Sequence, residues 1–172
     1  MAIVLHIRVA NALEDVASMI VRVSEALGTG SVMLQPGWED FDQTITGLVQ
    51  RLVAAGRLPG ALAAEAVRLI GEREAMASTA MVDIGVSIPH ARLQGISGII
   101  CAMAVSPQAV YHAGDSLPIS IVVLALSSPD LVGEHLTFLA SLSVLLQSAR
   151  FRQNVRNAPT PEYVERLIRS SE

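Results

Sequence analysis

The sequence has little of what several functional classes require. It has a single cysteine, Cys101, so no disulfide can form within the chain. Its 12 basic residues are all arginine, its formal net charge is -4, and only 3% of its residues are aromatic. The arginines form no basic stripe along the sequence, so nucleic-acid binding has little support. Cys101 lies in an apolar run and is expected to be a buried, unreactive thiol.

Long hydrophobic runs are also absent, although 51% of the residues are apolar. The most apolar stretches, 96–105 and 117–126, have about ten residues each, too few for a membrane-spanning helix. They are expected to be buried strands instead. Residues 1–10 contain His6 and Arg8 and precede no small-residue cleavage site, so a secretory signal is not expected. These features predict a cytoplasmic location and no membrane insertion.

The 172 residues fit one domain with a full core. Helical spacing predicts helices over 12–27 and from Phe41 to Gly56, and Pro59 begins another that completes a helical hairpin. Helices are also expected from about 127 to 149 and after Pro161. The predicted strands are 32–34, 86–88, 96–105, 110–112 and 117–126. This order predicts an α/β fold, a single domain with a mixed β-sheet flanked by helices on both faces.

The sequence Gly-Val-Ser-Ile-Pro-His at 85–90 is the most informative part of the chain. Proline has no N–H and a fixed φ, so Pro89 ends a strand ladder and turns the chain rigidly. His90 is therefore held in one place, where one ring nitrogen can face outward while the other is tied to the backbone. This arrangement suits a nucleophilic imidazole, a metal ligand or an ordinary turn histidine. His6 and His112 are assigned no role.

His135 begins a helical row with Leu139, Leu142 and Leu146. The N-terminal end of a helix disfavours imidazolium and attracts anions, so a neutral His135 could hold a phosphoryl oxygen through its N–H. The alternative is a histidine at the edge of the core that bonds a backbone carbonyl. A zinc site of His90, His135 and a carboxylate is a further alternative, although no metal-ligand spacing of histidines or cysteines supports it.

Four pieces of the chain carry a family resemblance. They are 52–58 (LVAAGRL), 72–79 (EREAMAST), 85–92 (GVSIPHAR) and 134–142 (EHLTFLASL). In their order and approximate spacing the chain resembles the enzyme IIA domains of the fructose/mannitol class of the bacterial phosphotransferase system, including their nitrogen-regulatory relatives. Ala80 stands where these domains usually have a glycine, and the loop 78–85 is one residue longer. Residues 1–21 have no counterpart and are predicted to be an N-terminal extension of the IIA-like domain at 22–172.

The resemblance implies that His90 carries a phosphoryl group. The group would come from the histidine-containing phosphocarrier protein and pass to an enzyme IIB domain or serve regulation of a target protein. It also implies that His135 supports the phosphoryl group and that Arg73 helps shape the site. The expected enzyme is therefore a phosphotransferase, a phosphohistidine carrier, with no cofactor and no metal. Two alternatives stay open: a non-catalytic regulatory module of the same fold, and a metal-dependent hydrolase.

The chemistry suits these residues, because a neutral imidazole has a lone pair and needs no base to activate it. A carrier meets two proteins in turn, so the surface around His90 is expected to be apolar and the interface small, below about 1,200 Å². Arg73 and Arg92 are expected to flank His90 and to stabilise the phosphoryl group or steer an acidic partner. The alternative is that both arginines are solvated surface residues.

Overall fold

The computed structural model of the protein describes residues 22–172. The strands are β1 (Val32–Leu34), β2 (Ala80–Met81), β3 (Val86–Ser87), β4 (His90–Arg92), β5 (Ile99–Val105), β6 (Tyr111–Ala113), β7 (Leu117–Ile119) and β8 (Ile121–Ser127). The helices are α1 (Val23–Leu27), α2 (Phe41–Ala54), α3 (Ala63–Met76), α4 (Val132–Gln147), α5 (Ala149–Arg156) and α6 (Pro161–Ser171). Short 3-10 turns lie at Gly60–Leu62 and Val82–Ile84.

A mixed sheet forms the centre of the fold. Its order is β1-β5-β8-β3-β2, and β4 also pairs with β8. The β5–β8 and β2–β3 pairs are antiparallel, and the other pairs of this sheet are parallel. Every residue of β5 and β8 is buried. Both strands are covered on both faces, which explains why their sequences are apolar without alternation.

Helices cover the two faces of the sheet. On one face, side chains of α1, α4, α5 and α6 form a core with Cys101 and Met103 of β5. On the other face, α2 and α3 pack with Ala102 and Ala104 of the same strand. The alternation along β5 thus divides the core into two layers. The predicted mixed sheet with helices on both faces is confirmed.

The predicted helix starts reflect local capping. Asp40 precedes α2 and its carboxylate accepts a hydrogen bond from the Gln43 N–H at 2.8 Å. Thr160 caps α6 in the same way through the Tyr163 N–H, and Pro161 occupies the first turn. Each cap satisfies a backbone donor that the helix itself leaves free.

The strand that follows Gly85 differs from the prediction, because strand pairing continues beyond Pro89. β3 and β4 pair with β8 in one unbroken register, Val86 opposite Ile121 and His90 opposite Ala125. Pro89 cannot donate to the ladder, but its carbonyl still accepts from the Ala125 N–H at 2.9 Å. His90 therefore opens a strand segment instead of following the end of one.

The predicted strand 117–126 is two strands in different sheets. β7 pairs with β6 in a separate two-stranded sheet, and β8 belongs to the central sheet. The chain changes sheet at Ser120, whose N–H donates to the Gly85 carbonyl at 2.8 Å. Gly85 has φ +66°, and an added Cβ would lie 3.2 Å from the Pro118 carbonyl oxygen. The short strand β2, which no prediction included, lies at the edge of the central sheet.

Two predicted helices also differ in extent, and a third lies only partly within the described residues. The helix expected through residue 149 ends at Gln147, because Ser148 is extended and its hydroxyl caps a new helix, α5. The hairpin helix expected from Pro59 begins with a 3-10 turn before α3. The predicted helix 12–27 is seen as α1 at its C-terminal end. Its remainder, His6 and the predicted extension 1–21 lie outside the described residues.

Candidate active site

His90 and His135 share one cleft. Their ring centroids are 5.5 Å apart and the ring planes are inclined by 53°. The cleft has a volume of about 350 Å³. It is lined by Leu69, Glu72, Arg73, Met76, His90, Ala91, Arg92 and His135. The structure therefore brings together all three residues that the sequence analysis placed in the site.

His90 is held through one ring nitrogen. Its Nδ1 lies 2.8 Å from the carbonyl oxygen of Ile88, two residues earlier in the chain. A carbonyl oxygen only accepts, so Nδ1 carries the hydrogen and donates it. The neutral ring then has its lone pair on Nε2. The half-buried ring lines the cleft, and Nε2 is its nitrogen without a hydrogen.

His135 occupies the first turn of α4, where its backbone N–H donates to the Leu131 carbonyl at 3.0 Å. The side chain is buried, with 5% of its surface exposed. Its Nδ1 lies 2.8 Å from Oγ of Ser127. Burial lowers the pKa of His135 below its ordinary value, and electrostatic interaction with His90 and Arg92 lowers it further. The imidazole is therefore neutral near pH 7.

Two arginines border the cleft from different elements. Arg73 is half-buried in the last turn of α3, and its Nη1 donates to the Ala77 carbonyl at 3.0 Å. Arg92 is exposed at the end of β4, and its Nη1 lies 3.5 Å from the Pro129 carbonyl oxygen. Among residues 22–172, carboxylates form ion pairs with Arg68 but not with either of these arginines. Both guanidinium groups thus remain free to neutralise an anion in the cleft.

Exposed apolar side chains lie on the two helices that border the cleft, α3 and α4. Met76 at the end of α3 is 83% exposed, and Leu136, next to His135, is 62% exposed. Val132 is 52% exposed and lies one turn before Leu136 on the same face of α4. We call Met76, Val132 and Leu136 the apolar rim. Met76 lines the cleft, and Val132 and Leu136 are exposed on the first turns of the helix that carries His135. Exposed apolar side chains grouped in this way are a feature of protein-binding surfaces.

Other residues considered from the sequence lie away from the cleft. His112 is exposed on β6. Cys101 is fully buried in β5, and burial raises the pKa of its thiol to about 12. The thiol is therefore protonated at neutral pH, which agrees with the expectation that it is unreactive.

Ser127 is the site residue that sequence reasoning missed. The predicted helix begins at about residue 127, whereas Ser127 ends β8, its hydroxyl contacts His135, and the helix α4 begins at Val132. A polar residue directly after six apolar strand residues, 121–126, was the available signal, but its partner depends on how the next helix folds back.

Within residues 22–172, metal-ligating side chains form no group of three or more. In the same part of the chain, every helix is too short or too polar to cross a membrane.

A protein-family model and a curated relative match this chain. The family model described as "Phosphoenolpyruvate-dependent sugar phosphotransferase system, EIIA 2" matches residues 25–171. A protein of Pseudomonas aeruginosa named nitrogen regulatory protein is 31% identical over 97 residues, which are 56% of this chain and 62% of that protein. The chain therefore matches somewhat less than two thirds of that relative's length.

Solved structures share the fold. The crystal structure of the nitrogen regulatory protein IIA-Ntr from Neisseria meningitidis has a TM-score of 0.73 and 22% identity, covering 85% of this chain and 98% of that one. A complex of the mannitol enzyme IIA with phosphorylated enzyme IIB, from Escherichia coli, gives a TM-score of 0.66 and 16% identity, covering 84% of this chain and 97% of that one.

Proposed function

The chain belongs to the EIIA 2 family of the phosphoenolpyruvate-dependent sugar phosphotransferase system, and from this we propose that it is a phosphohistidine carrier. His90 would accept a phosphoryl group from the histidine-containing phosphocarrier protein and pass it to an enzyme IIB domain or use it to regulate a target protein. The family itself was predicted from the sequence and is confirmed. One observation carries the proposal: the Ile88 carbonyl binds Nδ1 of His90, so the lone pair lies on Nε2.

The transfer step follows from that tautomer. The Nε2 lone pair of His90 forms a bond to phosphorus as the bond from phosphorus to the donor's ring nitrogen breaks. The electron pair of the broken bond returns to the donor's ring. Positive charge develops on the His90 ring, and the hydrogen bond from Nδ1–H to the Ile88 oxygen becomes stronger in response. The same step in reverse, with a different partner, moves the group onward.

Charge stabilisation is the main requirement of phosphoryl transfer. We assign it to His135 and Arg73, with Arg92 at the exposed edge of the cleft. Their positions support these roles, because all three line the cleft with His90 and carry N–H donors on three different elements. The neutral state of His135 keeps one N–H available without adding a positive charge that would hold the group too strongly.

The apolar rim supports exchange of partners. Two proteins must bind at His90 in turn, and each must leave. Transient interfaces of this kind are at the low end of the specific range, below about 1,200 Å². Met76, Val132 and Leu136 offer such a small apolar contact, and Arg92 offers a charge for steering.

Both uses of the phosphoryl group have support among the relatives. The similarity to nitrogen regulatory proteins favours a regulatory use, and the fold of a mannitol enzyme IIA bound to enzyme IIB is compatible with transport. We place the carrier domain at 22–172, preceded by an extension at 1–21, in the cytoplasm where its phosphoryl donor would be found.

Intact mass spectrometry tests the proposal. The protein is incubated with enzyme I, the phosphocarrier protein and phosphoenolpyruvate, and a phosphoryl adduct is expected. His90→Gln should remove the adduct, whereas His112→Gln, at an exposed histidine away from the cleft, should retain it. A full adduct on His90→Gln would overturn the assignment. A protein that binds partners without ever forming an adduct would be the non-catalytic module instead.

A further inference from the structure

Ser127 ends β8 with its side chain fully buried. Its hydroxyl lies 2.8 Å from Nδ1 of His135, and this is the one hydrogen bond of that hydroxyl among the described residues. Its backbone is tied to the neighbouring strand, because the Leu93 N–H donates to the Ser127 carbonyl at 2.9 Å. The hydroxyl is therefore presented to His135 from a fixed position.

The direction of this hydrogen bond follows from the chemistry of the two groups. A neutral imidazole has one N–H and one lone pair, and a hydroxyl can donate or accept. If Nδ1 donated, the buried hydroxyl proton of Ser127 would have no acceptor among residues 22–172, which is costly. If Ser127 donates to Nδ1, both groups are satisfied. The hydrogen of His135 is then on Nε2.

We propose that Ser127 is a positioning residue that holds His135 with its hydrogen on Nε2, as a donor to the phosphoryl group carried by His90. This proposal rests on the proposed carrier function. His90 provides the contrast, because its Nδ1 faces a carbonyl, which can only accept. The two rings are tied through the same atom but to opposite kinds of partner, and so they adopt opposite tautomers.

The opposite tautomers give the two histidines different chemical roles. With its lone pair on Nε2, His90 can attack phosphorus. With its hydrogen on Nε2, His135 donates to a phosphoryl oxygen and offers no lone pair there that would repel the oxygen or compete for phosphorus. The Ile88 carbonyl thus leaves His90 with the attacking lone pair, and Ser127 keeps His135 a donor.

Nuclear magnetic resonance tests the assignment directly in the resting protein. Long-range correlations between ring nitrogens and ring hydrogens identify the tautomer of each histidine. At pH 7.5 or above, we expect hydrogen on Nε2 of His135 and on Nδ1 of His90. Hydrogen on Nδ1 of His135 would overturn the proposal.

Replacement of the hydroxyl gives the second test. In Ser127→Ala the neutral ring loses its donor, so the measured pKa of His135 should rise and its single tautomer should give way to a mixture. The groups facing His135 in the cleft, which are His90, Arg73, Arg92 and Glu72, are unchanged in this variant. If Ser127 instead accepts from Nδ1, the neutral and charged rings both use it, and the pKa would stay or fall.

Phosphoryl transfer to His90 should be roughly fivefold to tenfold slower in Ser127→Ala, the effect of one misplaced hydrogen bond. Ser31→Ala is the matched control, because Ser31 is also fully buried beside the sheet but its hydroxyl has no partner among residues 22–172. That control should transfer at the parent rate. An unchanged rate and tautomer in Ser127→Ala would refute the positioning role.

The two proposals fail in different ways. If no adduct forms on the parent protein, the carrier function fails, and the tautomer spectrum still reports on Ser127. If the adduct forms normally on a protein whose His135 carries its hydrogen on Nδ1, only the role of Ser127 fails.

Discussion

His90 and His135 come together because both are fixed relative to β8. His90 pairs with Ala125, two residues before the end of that strand, and His135 lies in the first turn of the helix that follows it. The resulting distance of 5.5 Å between ring centroids puts both imidazoles within reach of one small group in the cleft.

Removal of the His135 side chain should slow transfer without preventing it. We expect His135→Ala to form the adduct on His90 about a hundredfold more slowly, since it loses one donor to the phosphoryl oxygens. His135→Gln keeps an N–H donor and should be affected less. Rapid-quench measurement of adduct formation gives both rates, and Thr137→Ala, exposed on the same helix, is the control. Parent rates in His135→Ala would exclude a role in transfer.

The lowered pKa of His135 makes stability depend on pH. The unfolded chain binds a proton near pH 6.5, but the folded protein resists it because the ring is buried. Stability should therefore be highest above that value and fall as the pH drops below 6.5. Urea midpoints at pH 8 and pH 5 measure this loss. The loss of stability should be smaller in His135→Gln than in the parent protein, and it should be the same in His112→Gln as in the parent. Equal losses in all three proteins would contradict the prediction.

The two arginines should differ in their response to salt. Arg73→Ala is expected to transfer about tenfold more slowly at every salt concentration, because the proposal has Arg73, which lines the cleft, bind the phosphoryl group directly. Arg92→Ala should be slow mainly at low salt, since an exposed charge steers by long-range attraction that ions screen. Arg166→Ala, exposed on α6, is the control. If both variants match the parent at low and moderate salt, the arginines are solvated surface residues.

Substitutions in the apolar rim should affect partner binding and leave the chemical step unchanged. Met76→Ser and Leu136→Ser are expected to raise the KM for the phosphocarrier protein severalfold with little change in kcat, because they alter docking and leave the histidines intact. Val144→Ser is the control, since Val144 is 74% exposed on α4 but lies two turns beyond Leu136. A KM change of equal size in the control would show that the effect is not local.

Alanine substitution at two glycines should change the free energy of unfolding in opposite directions. Gly85 has φ +66° and little space for a Cβ, so Gly85→Ala should lower the free energy of unfolding by about 1–2 kcal/mol or more. Gly71 lies in α3 with nothing within 4 Å of an added Cβ, and Gly71→Ala should raise it by up to about 1 kcal/mol. Urea unfolding gives both values, and a stabilised Gly85→Ala would refute the backbone argument.

The sequence allowed prediction of those features that depend on local patterns. Helical spacing located α2 and α6, and Pro89 marked the place where His90 is held. The division of 117–126 between two sheets could not be predicted, because it depends on the bond from the Ser120 N–H to the Gly85 carbonyl, far away in the chain. Both sides of Ser120 are mainly apolar, so composition does not mark the change of sheet.

The contact between Ser127 and His135 could not be predicted for a similar reason. It requires the chain to leave β8, turn, and bring the first turn of α4 back over the end of the strand. The sequence indicated a polar residue and a histidine at those positions, but not their distance. Resemblance to a family identified His135 and Arg73, whereas Ser127 emerged only from the structure.

The placement of His90 on the sheet and of Met76 and Leu136 on helices has a consequence for how such a protein can diversify. His90 is set by strand register within the most deeply buried part of the fold, where few substitutions are tolerated. The rim residues are exposed at helix positions that no core contact constrains. A lineage can therefore acquire a new partner through surface substitutions on α3 and α4 while the His90 imidazole keeps the same position.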